Sequence, residues 1–170
     1  MSLPVLHGEH VTLRPISEDD LGPLAAIIRE PGVAEWWGES DEPERLRENL
    51  LMEGAAWAIE TDGELAGWLG FTEETEPEYR SVGLDISLSG RFQGRGLGPD
   101  ALRAAIRWFA EERGHHRFTI DPAAHNERAI RAYSAVGFRP VGIMRRYERD
   151  TGGGGFHDGL LMDLLAEELD

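Results

Sequence analysis

A strand-like run, Ser81 to Leu88, and a helix-like run, Pro99 to Arg113, are joined by Arg91-Phe92-Gln93-Gly94-Arg95-Gly96-Leu97-Gly98. Glycines at alternate positions between those two patterns constrain this chain more than any other feature. Glycine adopts φ > 0 and lets a ligand approach the backbone, while the start of the following helix offers free N–H groups and a partial positive charge. A pyrophosphate suits that arrangement; a plain tight turn is the alternative. The spacing is not GxxxxGK[ST], which argues against a P-loop. It also lacks the GxGxxG that follows the first strand of a parallel dinucleotide-binding unit.

The remaining patterns surround this turn with a mixed sheet. His10 to Ile16 alternates as a strand, and Ser17 with Asp20 resembles a cap for a helix whose Leu21, Leu24, Ala25 and Ile28 share a face. Pro31 and Gly32 stop it, Glu35-Trp36-Trp37-Gly38 reads as an aromatic loop, and Pro43 opens a second helix running to about Met52. Ala55 to Thr61 and Glu64 to Phe71 are apolar runs joined by Asp62-Gly63, a two-residue hairpin signal. In the helix after the glycine turn, Leu102, Ala105, Ile106 and Phe109 point inward and Gly114 stops the run. His116 to Ile120 is a short strand. Asn126 caps a helix ended by Gly137, and Phe138 to Tyr147 with Gly159 to Leu165 forms a closing hairpin whose tip is Gly152 to Gly155. The order β-α-α-β-β-β-α-β-α-β-β implies an α/β (α+β mixed) fold with helices on both faces of the sheet.

At 170 residues and 18.9 kDa the chain is expected to form one domain, residues 1–170. Without cysteine there is no disulfide framework, thiolate metal site or cysteine nucleophile, and all 17 basic residues are Arg, which excludes a lysine Schiff base. His115, His116, His125 and His157 have no metal spacing and read as surface or turn residues, so no metal is expected. No run is long enough to span a membrane and no secretion signal is visible, so the expected location is cytoplasmic. The net charge of −15 disfavours nucleic acid and anionic lipid and favours a cationic partner. Acids concentrate in residues 39–85 and arginines in residues 91–149, as though one half met cations and the other anions. No interface signature separates monomer from homodimer.

Gln93-Gly94-Arg95-Gly96-Leu97-Gly98 resembles the Q/R-x-x-G-x-G/A pyrophosphate loop of the GNAT acyltransferase superfamily. Asp121-Pro122, Asn126, Ala129-Ile130-Arg131-Ala132-Tyr133 and Gly137-Phe138 resemble that family's second signature, and the element order matches along essentially the whole chain. The resemblance implies a central, mostly antiparallel, twisted sheet splayed in the middle to admit the pantetheine arm of acetyl-CoA. It implies coenzyme contacts from Ile86, Ser87, Leu88, Gln93, Gly94, Arg95, Gly96, Leu97, Gly98, Asn126 and Ala129. Val33 to Gly38, Gly83-Leu84-Asp85 and Thr119 to Pro122 are further similar to aminoglycoside 6′-N-acetyltransferases.

Acetyl transfer to an amine needs a proton acceptor, because a sugar or alkyl amine is mostly protonated at neutral pH. Asp85 is the candidate base, or the group that positions the amine while water relays the proton, since an acid within Val82 to Leu88 is costly to bury without a use. Backbone N–H groups of Ile86 to Leu88 would stabilise the developing oxyanion and Tyr133 would protonate the departing thiolate. For a cationic acceptor, Trp36 and Trp37 offer stacking surfaces, and Glu73, Glu74, Glu76, Asp85, Asp121 and Asp158 offer carboxylates. Three readings follow: an acetyl-CoA-dependent enzyme acting on the 6′ amine of an aminoglycoside, the same enzyme acting on a polyamine, siderophore precursor or ribosomal-protein N-terminus, and a non-catalytic binding module.

Overall fold

A computed structural model of the chain describes residues 2–37, 43–52 and 54–169. Eight strands form one sheet: β1 (Leu6–His7), β2 (Thr12–Pro15), β3 (Ala56–Thr61), β4 (Glu64–Glu74), β5 (Ser81–Leu88), β6 (Arg117–Ile120), β7 (Arg139–Arg149) and β8 (Phe156–Leu165). Their spatial order is β1-β2-β3-β4-β5-β6-β8-β7, and every pairing is antiparallel except β5 with β6. The expected sheet is thus present, with β1 as an added edge strand too short to show an alternation in sequence.

Local chemistry accounts for the turns. Asp62 and Gly63 both take φ > 0, at 51° and 76°, and close the β3–β4 hairpin. That conformation matches the twist of the flanking strands and suits an Asp-Gly pair. Gly67, one turn of pleat further along β4, lies so near β5 that a Cβ would stand 1.9 Å from the Ser87 carbonyl oxygen. Asn126 accepts the Ala129 N–H at 3.2 Å and caps α5 (Glu127–Val136), as its position before the apolar stripe predicts.

Helices cover both faces. On one, α4 (Leu97–Arg113) and α5 bury Leu102, Ile106, Phe109 and Val136 against Leu13, Trp57, Leu69, Val82, Phe118 and Leu164. On the other, α1 (Leu21–Ile28), α2 (Pro31–Trp37) and α3 (Pro43–Leu46), the last continued by a π-type turn over Arg47–Met52, pack on Ala56, Ala58 and Trp68. The segment expected as an aromatic loop is helical up to Trp37. Pro31 opens α2 rather than only ending α1, because its fixed φ suits a first helical position; the Glu30 carbonyl accepts the N–H groups of Val33 and Ala34. Gly38, the last residue of the expected aromatic loop, and Glu39, Asp41, Glu42 and Glu53 of the acidic segment lie outside the described residues. His115 also departs from expectation: it is buried, with Nε2 2.6 Å from Glu73 Oε1. Among the described residues no helix is long and apolar enough to cross a membrane.

Candidate active site

The sheet opens at its one parallel pair. β5 and β6 are in register at Val82↔Phe118 and Gly83↔Thr119 only, and beyond those pairs the strands part. Two residues further along each strand direction stand Asp85 and Asp121, so the fork begins between two carboxylates. Pleating puts Leu84, Ile86 and Leu88 on the α4 side, where Leu88 Cδ1 and Ile86 Cδ1 crowd the space beside Gly98 at 3.6 and 3.9 Å. Asp85 and Ser87 therefore face the opposite side, that of α2.

Asp85 is open to solvent at the mouth yet closely surrounded on the cleft floor. That crowding, then the charges of Asp121 and Glu148, push its carboxyl up to about 7. Tyr133 of α5 is half-buried across the fork. Burial first, then the charges of Asp85 and Asp121, hold its phenol above the ordinary tyrosine range, so it keeps its proton. A second phenol, Tyr147 of β7, lies near Asp121, whose carboxylate raises it.

Tyr147 and Glu148 reach the fork because β7 bulges. Met144 pairs with Gly159 and Glu148 with His157, so β7 carries two more residues than β8 across this interval. Arg146 sits at the apex at φ 46°, its N–H bound to Asp158 Oδ1 at 2.8 Å. The Tyr147 ring covers Gly159, where a Cβ would come within 3.0 Å of Tyr147 Cδ2. His157 then lies between two acids, Nδ1 2.9 Å from Asp150 and Nε2 3.1 Å from Glu148, and its ring centroid is 5.4 Å from that of His125. His125 in turn lies 5.1 Å from Trp36. None of Tyr147, Glu148, His125 or His157 stood out as functional in the sequence; an unexpected excess of polar and aromatic residues at the end of β7 is the only signal it carried.

The glycine turn has the geometry of an anion cradle. Gly94 and Gly96 take φ of 74° and 76°, Gly96 caps α4, and Leu97 buries behind the loop. Gln93 is fastened on both sides, its Nε2 donating to the Leu88 carbonyl at 2.9 Å and its Oε1 accepting from Arg128 Nη1 at 2.6 Å. It ties the loop to the end of β5 and to α5. Arg95 is exposed, its guanidinium 5.5 Å from the Phe92 ring. Asn126 uses its carbonyl oxygen as the cap and accepts the Ala129 N–H. On the side of β5 toward β6, Ile86, Ser87 and Leu88 have no strand partner, while on the other side they pair with Leu69, Trp68 and Gly67.

Several expected acceptor residues are engaged elsewhere. Trp37 packs edge-on to Trp68 at 5.0 Å within the second core, while Trp36 reaches the His125–His157 wall. Glu73 accepts from Arg113 Nε and Nη2 at 2.7 and 2.9 Å and contacts His115; the Arg113 guanidinium holds its carboxyl below the usual range. Glu74 accepts the Glu76 N–H at 2.9 Å in the β4–β5 turn. Asp158 braces the β7 bulge. The acids grouped at the fork are Asp85, Asp121 and Glu148.

The acetyltransferase (GNAT) domain family matches residues 10–139. The chain is 29% identical over 160 residues to aminoglycoside N(6′)-acetyltransferase type 1 of Klebsiella pneumoniae, covering 81% of this chain and 78% of the relative. It is 25% identical to spermidine N(1)-acetyltransferase of Escherichia coli over 147 residues, 82% of this chain and 77% of the relative. A GNAT-family acetyltransferase from Bacillus anthracis superposes with a TM-score of 0.83 at 18% identity, over 97% of this chain and all of that one.

Proposed function

This chain belongs to the GNAT acetyltransferase family, and we propose that it acetylates a primary amine of a polycationic small molecule from acetyl-CoA, with the 6′ amine of an aminoglycoside as the acceptor. The observation that carries this reading is the fork itself: Asp85 and Asp121 follow the last paired residues where β5 and β6 part, close enough that Asp121 and Glu148 raise the Asp85 carboxyl and that Asp85 and Asp121 raise the Tyr133 phenol. The coenzyme supplies an activated acetyl thioester. The Gly94–Gly96 loop and the N-terminus of α4 fit its pyrophosphate, and the gap beside β5 fits its pantetheine arm.

Three carboxylates at one mouth attract and orient an acceptor carrying several ammonium groups. Asp85, at about 7, is poised to take the proton that an ammonium must lose before its nitrogen can attack. Unpaired N–H groups on the β6 side of Ile86 to Leu88 are available to the acetyl carbonyl oxygen. Tyr133 holds its proton at neutral pH and can donate a hydrogen bond to the leaving sulfur as negative charge gathers there, with the proton returned from solvent as the thiol departs. The aminoglycoside relative supports the acceptor class, and the spermidine relative supports a linear polyamine as the second reading.

Thiol release from acetyl-CoA tests this, with kanamycin, its 6′-hydroxyl analogue, spermidine and ribosomal N-terminal peptides as acceptors. Turnover with kanamycin and none with the hydroxyl analogue is the expected result. Turnover with spermidine alone selects the polyamine reading, and turnover only with peptides overturns both.

A further inference from the structure

One histidine beside the fork has both ring nitrogens engaged by acids, and the chemistry above leaves it unused. His157, at the start of β8, has Nδ1 2.9 Å from Asp150 Oδ1 and Nε2 3.1 Å from Glu148 Oε1. A carboxylate only accepts, so the imidazole is the donor between them.

The strand register brings this ring to the reacting groups. β6 and β8 pair Thr119↔Asp163 and Ile120↔Met162, and the bridge Ala123↔Gly159 continues that register past the end of β6. The Ala124 N–H on the Asp158 carbonyl and the Leu160 N–H on the Pro122 carbonyl, each at 2.8 Å, hold the continuation. Opposed residues share a face and alternate residues of one strand do so too. His125 therefore falls opposite His157, on the face of Asp121 and, through the pair Gly83↔Thr119, of Asp85. The rings agree with this register, for His125 meets His157 nearly at right angles, at 84°, and turns its other side to Trp36 of α2. Glu148 is the β7 partner of His157 and so joins the same face.

Glu148 needs such a hold. It is where β7 rejoins its ladder after the bulge, and its side chain is 56% exposed, whereas that of His157 is 19% exposed. A carboxylate on a long, exposed side chain loses rotamer freedom when it grips a cation, and fixing it beforehand removes that cost from binding. His157 can do the fixing because Asp150 and His125 hold His157 in turn.

We propose that His157 is a positioning residue for acceptor binding: it holds the Glu148 carboxylate at the fork, where that group receives an ammonium of the acceptor other than the one that reacts. Asp85 and Asp121 remain with the reacting amine. The proposal rests on the acceptor reading given above and deepens it, since this arrangement selects amines carrying a second ammonium over those carrying one.

The test combines calorimetric titration of the full chain with kanamycin, spermidine and the single-amine sugar glucosamine, and acetyl-transfer kinetics with the same acceptors at pH 8. The proteins are wild type, His157→Asn, His157→Gln, Glu148→Gln and the double variant His157→Asn with Glu148→Gln, each checked by its thermal midpoint. An Asn amide reaches where Nδ1 stands and a Gln amide where Nε2 stands, so only Gln can keep the Glu148 contact. His157→Asn should weaken binding of the polycations and raise their KM by about three- to tenfold while kcat changes less than about twofold, and His157→Gln should restore most of the affinity. Glu148→Gln, at an exposed position, should show the same loss, and His157→Asn should add nothing to it. Glucosamine should be nearly indifferent to every substitution. Equal losses in His157→Asn and His157→Gln, an equal loss for glucosamine, or additive losses in the double variant overturn the proposal. Binding that follows the expected pattern without acetyl transfer upholds the positioning of Glu148 and refutes the acetylation reading. Transfer to kanamycin with its affinity unmoved by His157→Asn does the reverse, and a wild type that binds neither polycation overturns both.

Discussion

Replacing Asp85 by Asn tests the chemistry and the electrostatics of the fork together, because the two readouts move in opposite directions. In the wild type the carboxyl titrates at about 7, so it is half ionised at pH 7 and about one part in a hundred ionised at pH 5. If Asp85 is the proton acceptor, kcat/KM rises tenfold per pH unit up to about 7 and then levels. Asp85→Asn should lower the rate by about 10² to 10⁴ and abolish that limb. The stability effect has the opposite sign. A carboxyl raised in the folded chain binds its proton more tightly there than in the unfolded chain, so folding is least disturbed below pH 4 and loses stability as pH climbs toward 7. Full conversion of the shift would be about 4 kcal/mol, but solvent reaches Asp85 and screening reduces this to about 1–2 kcal/mol. Asn carries no such penalty. Its variant should melt about 3–6 °C above wild type at pH 8, with the two converging near pH 4. Rate against pH and calorimetric melting at pH 4, 6 and 8 measure both effects. An Asp85→Asn protein that keeps the acid limb, or that melts below wild type at pH 8, would refute the reasoning.

Tyr133→Phe should reduce kcat by about 10²-fold without shifting the acid limb, since the phenol keeps its proton throughout that range; stopped-assay kinetics across pH decide it. Glu73→Gln should cost about 1–3 kcal/mol at pH 7 through its lost charged contacts with Arg113 and His115. Because the Glu73 carboxyl is lowered in the fold, that difference should be full above the usual carboxylate range and fade as pH falls below it, while the acceptor KM changes less than about twofold. Gly67→Ala should destabilise by at least about 3 kcal/mol in denaturant unfolding, since its Cβ meets a carbonyl oxygen of β5 rather than a movable side chain. Asp100→Ala should cost about 2–3 kcal/mol by stripping an acceptor from three N–H groups, and should raise amide exchange at residues 9–11.

The features legible in the sequence are those enforced by the chain within a few residues. Asp62-Gly63 shows its turn because few other pairs take two positive φ values in succession, and Asn126 and Gly137 bracket α5 by the same local logic. Asp85 was legible as an acid in an apolar strand, and the glycine turn as a run suited to positive φ ahead of a helix. What decides a side chain's use, however, is who else arrives. Glu73 looks like a free carboxylate until Arg113 and His115, some forty residues on, close over it. Trp36 and Trp37 are indistinguishable in sequence, yet adjacent helical positions point about 100° apart, and that turn sends one to His125 and the other into the core on Trp68. The bulge in β7 is the sharpest case. Strict alternation from Arg139 would assign Tyr147 and Glu148 to faces fixed by an unbroken ladder, whereas the ladder is interrupted between Met144 and Glu148, with Arg146 at positive φ and its N–H on Asp158, so simple alternation does not set the face of Tyr147. The strain of a non-glycine residue at positive φ is thus sustained where it delivers a phenol to Asp121 and a third carboxylate to Asp85. Asp158→Ala should therefore relax the bulge, lower the acid-limb midpoint of kcat/KM as Glu148 withdraws, and leave the midpoint untouched only if the bulge plays no part in setting Asp85.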